Sequence, residues 1–174
     1  MAVQIGARPD AGFDDPIGML KDCHRRIEQF LNILCVVAER VRGRPMTGEE
    51  SAAVQAALAY FQVGGRRHNA DEEQSLFPRM RAAGDAEDTG ELEHEHRFAE
   101  SLHSRAEELY AEWMAEGGLN ADKQDQLAAA TEGLRQLYAA HIEREETVVF
   151  PRAAQLLDAE AIAEMGREFR ARRS

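Results

Sequence analysis

Two stretches of the chain carry the same arrangement of residues that can bind a metal ion. They are residues 68–79 (HNADEEQSLFPR) and residues 141–152 (HIEREETVVFPR), which share His, two consecutive Glu, Phe, Pro and Arg in one register. In both, Glu follows His by four residues, so on a helix the two side chains lie on one face about one turn apart. A face that pairs an imidazole nitrogen with a carboxylate oxygen offers ligands to a transition metal. The shared register, at a separation of 73 residues, predicts a duplicated unit.

The duplication also selects among the six histidines. His24 precedes His68 by 44 residues, and His96 precedes His141 by 45, whereas the remaining histidines fit this spacing less well. Each of these four lies on the apolar stripe of its predicted helix. A single histidine on such a stripe is usually a hydrogen-bonded core residue. Four of them with at least two carboxylates, buried without a metal, would leave costly desolvated groups, so the pattern predicts a metal site.

Hydrophobic periodicity places these residues on four long helices. Apolar residues recur at spacings of three and four, and nothing alternates with period two, which predicts helices and no sheet. Capping residues, glycines and prolines mark the expected ends: the helices run from Pro16 to Gly43-Arg44-Pro45, from Thr47 to Pro78, from Thr89 to Gly117-Gly118 and from Asn120 to Pro151, and a short fifth helix follows Asp158. Gly64-Gly65 predicts close helix packing or a slight bend.

The expected architecture is an all-α, up-down-up-down four-helix bundle with a short C-terminal helix. We predict an irregular lead over residues 1–15 and the bundle over residues 16–157. The short helix within residues 158–174 is expected to pack on the bundle or to trail it. The repeated unit is a helical hairpin, the first two helices followed by the next two.

Composition narrows the classes of function. The formal net charge of −11 argues against a nucleic-acid partner, because phosphate contacts need clustered Lys and Arg. No apolar run approaches the roughly 20 residues that a membrane helix needs, and the first residues lack the apolar region of a secretory signal. The only cysteines, Cys23 and Cys35, are too few for a disulfide framework, so we expect a cytoplasmic protein.

The ligand types favour a pair of iron ions, with manganese or zinc as substitutes. The chain has neither a thiolate set for structural zinc nor the HExxH motif of a zinc hydrolase. The ferritin-like pattern, Glu-x-x-His on two separate helices, is also missing. Its two instances, Glu93/His96 and Glu100/His103, both fall on the third predicted helix.

Taken together, these motifs resemble the hemerythrin-like (HHE cation-binding) domain over about residues 16–152. They are the order His24, His68-x-x-x-Glu72, His96 and His141-x-x-x-Glu145, with EExxxxFP closing the second and fourth helices. The resemblance implies a non-haem centre of two iron ions inside the bundle, bridged by two carboxylates and an oxo or hydroxo group. The metal ligands that it implies are the nitrogens of His24, His68, His96 and His141 and the bridging carboxylates of Glu72 and Glu145.

The chain departs from the invertebrate oxygen carriers at two places. Glu100 stands where they have a second His on the third helix. They use Asp at the fifth residue after the last His, where this chain has Glu146 preceded by Glu145. The repeat favours Glu145, the counterpart of Glu72, as the bridge. More carboxylates and fewer imidazoles alter the redox behaviour of iron, which argues against simple oxygen transport.

Several acidic and histidine residues stay open as further ligands or as neighbours of the ligands: Glu28, Glu73, Glu100, His103 and Glu146. His94 falls off the apolar stripe, and we expect it to be exposed.

The sequence favours a binding protein over an enzyme, because a full ligand set stands without a substrate motif beside it. Such a protein would bind dioxygen or nitric oxide, or sense redox or iron state. The alternative is a di-iron enzyme acting on peroxide, ferrous iron or nitric oxide, which the carboxylate-rich departures motivate. A third alternative, a metal-free interaction bundle, follows from the acidic surface. The expected partner is dioxygen or another small diatomic ligand, with an unidentified protein or a second copy of the chain left open.

Overall fold

The structure is a computed structural model that describes residues 10–42 and 44–174. Within these residues there are five helices and no strand. The helices are α1 (Pro16–Arg40), α2 (48–82), α3 (Thr89–Glu116), α4 (121–156) and α5 (Ala159–Ala171). The all-α bundle is confirmed. The predicted helix stop at Gly43 and the first nine residues of the expected irregular lead lie outside the described residues.

Side-chain caps start four of the five helices as the sequence predicts. Asp15 accepts a hydrogen bond from the backbone N–H of Gly18 at the start of α1. Thr47 forms the expected capping box with the residue three positions later. Asn120 and Asp158 each accept from a backbone N–H in the first turn of α4 and α5, at 2.9 Å. Each cap pairs an N–H group that the helix itself leaves without an acceptor.

Two predicted helix ends are wrong, because α2 and α4 continue past Pro78 and Pro151. Each proline follows a five-residue π-helical turn, Glu72–Leu76 in α2 and Glu145–Val149 in α4. In a uniform α-helix the proline would lack a needed N–H and clash with the carbonyl four residues earlier. The wider turn shifts the hydrogen-bond register, so each proline stands in the first turn of a new α-helical segment, where no N–H is required.

A third π-helical turn, Phe61–Gly65, lies in the middle of α2. It occurs where Gly64-Gly65 predicted close packing or a bend. A Cβ atom on Gly64 would lie 2.6 Å from Cε2 of Tyr60, so the glycine leaves room for that ring. The ring in turn stacks on Phe30 of α1, with 4.5 Å between ring centroids. The glycine pair therefore serves close packing between α1 and α2.

The buried apolar side chains form two clusters at opposite ends of the bundle. The large cluster includes the fully buried Leu34, Tyr110 and Trp113. The small cluster consists of Leu20, Leu76, Phe77, Met80, Leu92, Val149, Phe150, Ala153, Met165 and Phe169. On α1, Leu20 belongs to the small cluster and Ile27 to the large one, and His24 lies between them. The same order on the other three helices leaves a layer of polar side chains between the two clusters.

Helix α5 closes the end of the bundle that holds the small cluster. Its Met165 and Phe169 are fully buried there. Just beyond its last turn, Arg172 and Arg173 donate to the two oxygens of the buried Asp71 of α2, at 2.8 and 2.5 Å. Asp71 precedes Glu72 directly, so α5 is tied to the part of α2 that carries a predicted ligand. Among the helices that the structure describes, none has both the length and the apolar character needed to cross a membrane.

The fold makes a prediction about the contact between α5 and the segment before α1. A Cβ atom added to Gly166 would lie 1.9 Å from the backbone oxygen of Phe13. We expect Gly166→Ala to lower the free energy of unfolding by about 1–3 kcal/mol, because backbone must move to relieve the overlap. Urea unfolding followed by circular dichroism measures this.

The matched control is Gly90→Ala in the first turn of α3, where nothing lies within 4 Å of the added atom. This variant should be unchanged or up to about 1 kcal/mol more stable, because alanine reduces the freedom of the unfolded chain. If both variants unfold at the same urea concentration as the original chain, α5 does not dock on this segment in solution.

Candidate metal centre

Six buried side chains from four helices meet in the polar layer, and they are the six that the sequence singled out. None is more than 4% exposed. Their nitrogen and oxygen atoms form two sets that share both carboxylates, with all ligand atoms of a set within 4.8 Å of one another. The first set is His24, His68, Glu72 and Glu145, and the second is His96, His141, Glu72 and Glu145. Each set offers two imidazoles and two carboxylates to one cation.

Each carboxylate lies between one histidine of the first set and one of the second. Glu145 has one oxygen 3.0 Å from His24 Nε2 and the other 3.3 Å from His141 Nε2. Oε2 of Glu72 lies 3.4 Å from His68 Nε2 and 3.3 Å from His96 Nε2. This is the arrangement expected of carboxylates that bridge two cations.

The carboxylate oxygens at the centre lack hydrogen-bond donors. Within the described part of the chain, both oxygens of Glu72, both oxygens of Glu145 and Nε2 of His24 are buried without a hydrogen-bond partner. The neighbouring nitrogens are close but not aligned for hydrogen bonding, and such burial is costly. Two ligands bonded to one cation at about 2 Å lie about 3 Å apart when their bonds meet at a right angle. The observed spacing therefore fits atoms that converge on shared cations.

Three further carboxylates, here called the outer carboxylates, contact Nδ1 of three of the four imidazoles, on the side of the ring that faces away from the centre. Nδ1 of His24 lies 2.8 Å from Glu146, Nδ1 of His96 lies 2.8 Å from Glu73, and Nδ1 of His141 lies 2.7 Å from Glu95. When Nδ1 donates its proton to a carboxylate, Nε2 keeps a lone pair directed at the centre. The fourth imidazole differs, because Nδ1 of His68 is buried with no partner among the described residues.

Of these outer carboxylates, sequence reasoning left Glu73 and Glu146 open and missed Glu95. The repeat points to the first two, which are counterparts 73 residues apart. It gives no sign of Glu95, because the corresponding position of the first half is Cys23. The one sequence signal for Glu95 was its position directly before the candidate ligand His96 on the same helix.

The other open candidates lie away from the centre. Glu28 and Glu100 are exposed, and Glu100 lies 3.7 Å from Arg66. His94 is exposed, as predicted. Nε2 of His103 is hydrogen-bonded to the hydroxyl of Tyr138 at 3.0 Å, so this imidazole is held outside both sets.

The two repeated phenylalanines cover imidazoles of the centre on the side of the small cluster. The ring of Phe150 stacks on His24 with 5.4 Å between centroids and 12° between planes. The ring of Phe77 lies 6.3 Å from that of His96 at 15°. The Phe-Pro pair in each repeat therefore does not end a helix, and its aromatic ring shields a candidate ligand from water.

When no cation is present, the surroundings shift the pKa values of the two carboxylates in opposite directions. Burial and the nearby Glu145 raise the pKa of Glu72. Burial also opposes ionisation of Glu145, but the close imidazoles of His141 and His24 outweigh it and lower its pKa. For His96, burial lowers the pKa, yet Glu72 and Glu73 raise it to about 10. A bound cation would replace the protons held here, as is usual when metal ligands must be deprotonated.

A cleft between α2 and α3 leads from the surface to one side of the centre. Its volume is about 290 Å³. The buried part of its lining includes His96 and Tyr138, and the exposed part includes Arg66 and Arg97. The cleft therefore reaches the second set of ligands through His96.

Comparison with known proteins agrees with this geometry. A protein of Haemophilus influenzae described as an uncharacterized protein is 28% identical over 169 residues, which cover 94% of this chain and 92% of that protein. The family model described as the hemerythrin HHE cation binding domain matches residues 15–153. That match spans α1 to α4 and includes all six converging side chains. The chain belongs to the hemerythrin HHE cation-binding domain family.

Proposed function

We propose that the converging side chains hold two non-haem iron ions, and that the protein uses them to bind dioxygen or nitric oxide or to sense redox or iron state. The observation that carries this proposal is the pair of buried carboxylates, Glu72 and Glu145. Among the described residues, their four oxygens have no hydrogen-bond donor, and they lie among four imidazole nitrogens. Cations at the centre would compensate these charges fully in an interior that excludes water.

Each of the two sets of side chains described above would bind one ion. His24 and His68 would hold one ion and His96 and His141 the other, with the two carboxylates shared between the two sets. A mixed set of imidazole and carboxylate ligands suits iron, with manganese or zinc as substitutes. When bound, the ions supply the redox and ligand-binding chemistry, and the side chains hold and orient them.

The surroundings of the centre favour a small uncharged ligand. Burial lowers the pKa of His103 to about 4 and raises that of Tyr138, so this hydrogen-bonded pair is neutral at pH 7. The cleft, at about 290 Å³, lies at the lower end of the range for organic ligands. A diatomic molecule is much smaller than this cleft, which supports a binding or sensing role for such a ligand.

A second candidate is a di-iron enzyme that acts on peroxide, ferrous iron or nitric oxide. The observation in its favour is the number of carboxylates. Two lie at the centre, and three more contact Nδ1 of ligand imidazoles. Negative charge and electron-rich imidazoles stabilise oxidised iron, which favours redox turnover.

The proposed centre predicts the iron content of the protein. Protein purified without chelator, or reconstituted with ferrous iron under anaerobic conditions, should contain two irons per chain by elemental analysis. His141→Ala should lower this sharply, because it removes a nitrogen ligand from one position. The control, His94→Ala on the exposed face of α3, should keep both irons. Equal loss in the two variants would contradict the ligand assignment.

The second prediction concerns stability in the absence of metal. Glu72→Gln removes one of two buried, mutually repelling carboxylates. We expect it to raise the free energy of unfolding of the metal-free protein by about 0.5–2 kcal/mol, as relief of a strained functional site commonly does.

The same variant should lose most of the stabilisation that saturating zinc gives to the original chain through binding to the folded state. Urea unfolding with and without zinc measures both effects. Glu28→Gln, at an exposed position, is the control and should change neither. A metal-free Glu72→Gln protein that is less stable than the original would argue against charge repulsion at the centre.

The third prediction concerns the small ligand. Dioxygen or nitric oxide added to the anaerobic, reduced, iron-loaded protein should produce a new visible absorption band that reverses when the gas is removed. Ala70→Phe, which narrows the cleft, should slow appearance of the band without loss of iron. Ala59→Phe at an exposed position of the same helix should leave the rate unchanged. Absence of any band would overturn the binding role, and consumption of peroxide faster than by free iron would favour the enzyme.

A further inference from the structure

We infer that the two metal positions are unequal, and that the position held by His24 and His68 fills last and empties first. This inference rests on the proposed two-metal centre and concerns which ion is labile. At the centre itself the two positions have the same types of ligand, since each has two imidazoles and shares the same two carboxylates. The difference between them lies in the groups behind the imidazoles.

Two of the imidazoles are held in a symmetric way by the duplicated halves. Nδ1 of His24 on α1 contacts Glu146 of α4, and Nδ1 of His96 on α3 contacts Glu73 of α2, both at 2.8 Å. The two outer carboxylates are counterparts in the repeat and are similarly exposed, at 38% and 36%. These contacts therefore support the two positions about equally.

The symmetry breaks at the remaining two imidazoles. Nδ1 of His141 lies 2.7 Å from Glu95, which directly precedes His96 on α3. The corresponding residue of the first half is Cys23, which directly precedes His24 on α1. Its sulfur accepts a contact from Arg26 at 3.8 Å, and a thiol cannot replace the carboxylate. Nδ1 of His68 is accordingly left buried without a partner in residues 10–42 and 44–174.

A carboxylate behind a ligand imidazole strengthens the metal site in two ways. It fixes the tautomer that directs Nε2 at the ion, and it increases electron donation from the ring. Its removal typically costs about 10–100-fold in metal affinity. In addition, a bound ion at Nε2 of His68 would leave the buried Nδ1–H without an acceptor, which is costly. The position of His96 and His141 is therefore the firm one, and that of His24 and His68 the labile one.

Unequal affinities of the two positions would make the proposed sensing role one of sensing metal concentration. A centre that keeps one ion while exchanging the other responds to the free concentration of metal. The cleft reaches the centre through His96, so the firm ion is also the one nearest the approach of a small ligand.

The direct test follows the ring nitrogens of the histidines by NMR while zinc is added to the metal-free chain. Zinc is used because it is redox-inert. With one equivalent, the Nε2 signals of His96 and His141 should move to metal-bound values. Those of His24 and His68 should follow only with the second equivalent. Simultaneous movement of all four, or the reverse order, overturns the inference.

Variants of the outer carboxylates provide a second, independent measurement. Zinc affinity is measured by competition with a chromophoric chelator. Glu95→Gln should weaken the tighter binding step by about tenfold or more, and Glu146→Gln should weaken the second step instead. The matched control is Glu91→Gln, one turn earlier on α3. Like Glu95, it pairs with Arg144, at 3.1 Å, but it touches no ligand histidine.

Unequal affinities alone do not decide the matter, because two neighbouring cations repel each other in any case. The inference is tested by which of the two zinc-binding steps each variant weakens. If Glu95→Gln weakens the second step, or if all three variants behave alike, the inference fails while the two-metal centre stands. If saturating zinc fills fewer than two positions in the original chain, the proposed centre itself fails.

Discussion

Two carboxylates buried side by side, without hydrogen-bond donors, form the constraint on which the rest of the structure depends. Glu72 and Glu145 are fully buried, and none of their four oxygens has a hydrogen-bond partner in the part of the chain that the structure describes. An uncompensated carboxylate in an apolar interior costs several kcal/mol. The four imidazoles around them compensate this charge only in part, because their nitrogens are close without being aligned. The centre is therefore suited to binding positive charge. The apolar clusters on either side exclude the water that would otherwise solvate the carboxylates.

The duplicated sequence makes each half of the chain depend on the other. The two imidazoles of a metal position come from one half, α1 with α2 or α3 with α4. The carboxylate that contacts Nδ1 of His24 comes from the opposite half, as does the phenylalanine that covers its ring. The same exchange holds for His96. The π-helical turns that begin at Glu72 and Glu145 widen the backbone where these contacts are made, a common use of such turns at functional sites.

Much of the fold and most of the centre could be predicted from the sequence because they follow from periodicity and repetition. The apolar stripe identified the four converging histidines, and the repeat identified Glu72 and Glu145. Glu28 and Glu100 also follow a histidine by four residues, but they are exposed. On α1 and α3 the core-facing stripe continues at the third residue after the histidine, Ile27 and Ala99, so the fourth residue falls on the flank. Spacing alone does not fix the direction in which a helix faces.

The parts that could not be predicted are those where the chain departs from regular helices or from its own symmetry. Pro78 indicated a helix end because a proline breaks a uniform α-helix, and nothing local announced the π-helical turn that accommodates it. Glu95 could not be found by repetition because its counterpart is Cys23.

Departure from symmetry is also where the two halves acquire different tasks. Both halves supply a histidine pair, but only in the pair of the second half, His96 and His141, does Nδ1 of each member contact a carboxylate. The first half instead carries the contacts that close the bundle, since Asp71, next to Glu72, binds Arg172 and Arg173 just after α5. On the inference drawn above, the carboxylate of Glu95 would favour the ion at His96 and His141. The contacts of Asp71 with Arg172 and Arg173 instead tie α2, which carries His68, to the residues that follow α5.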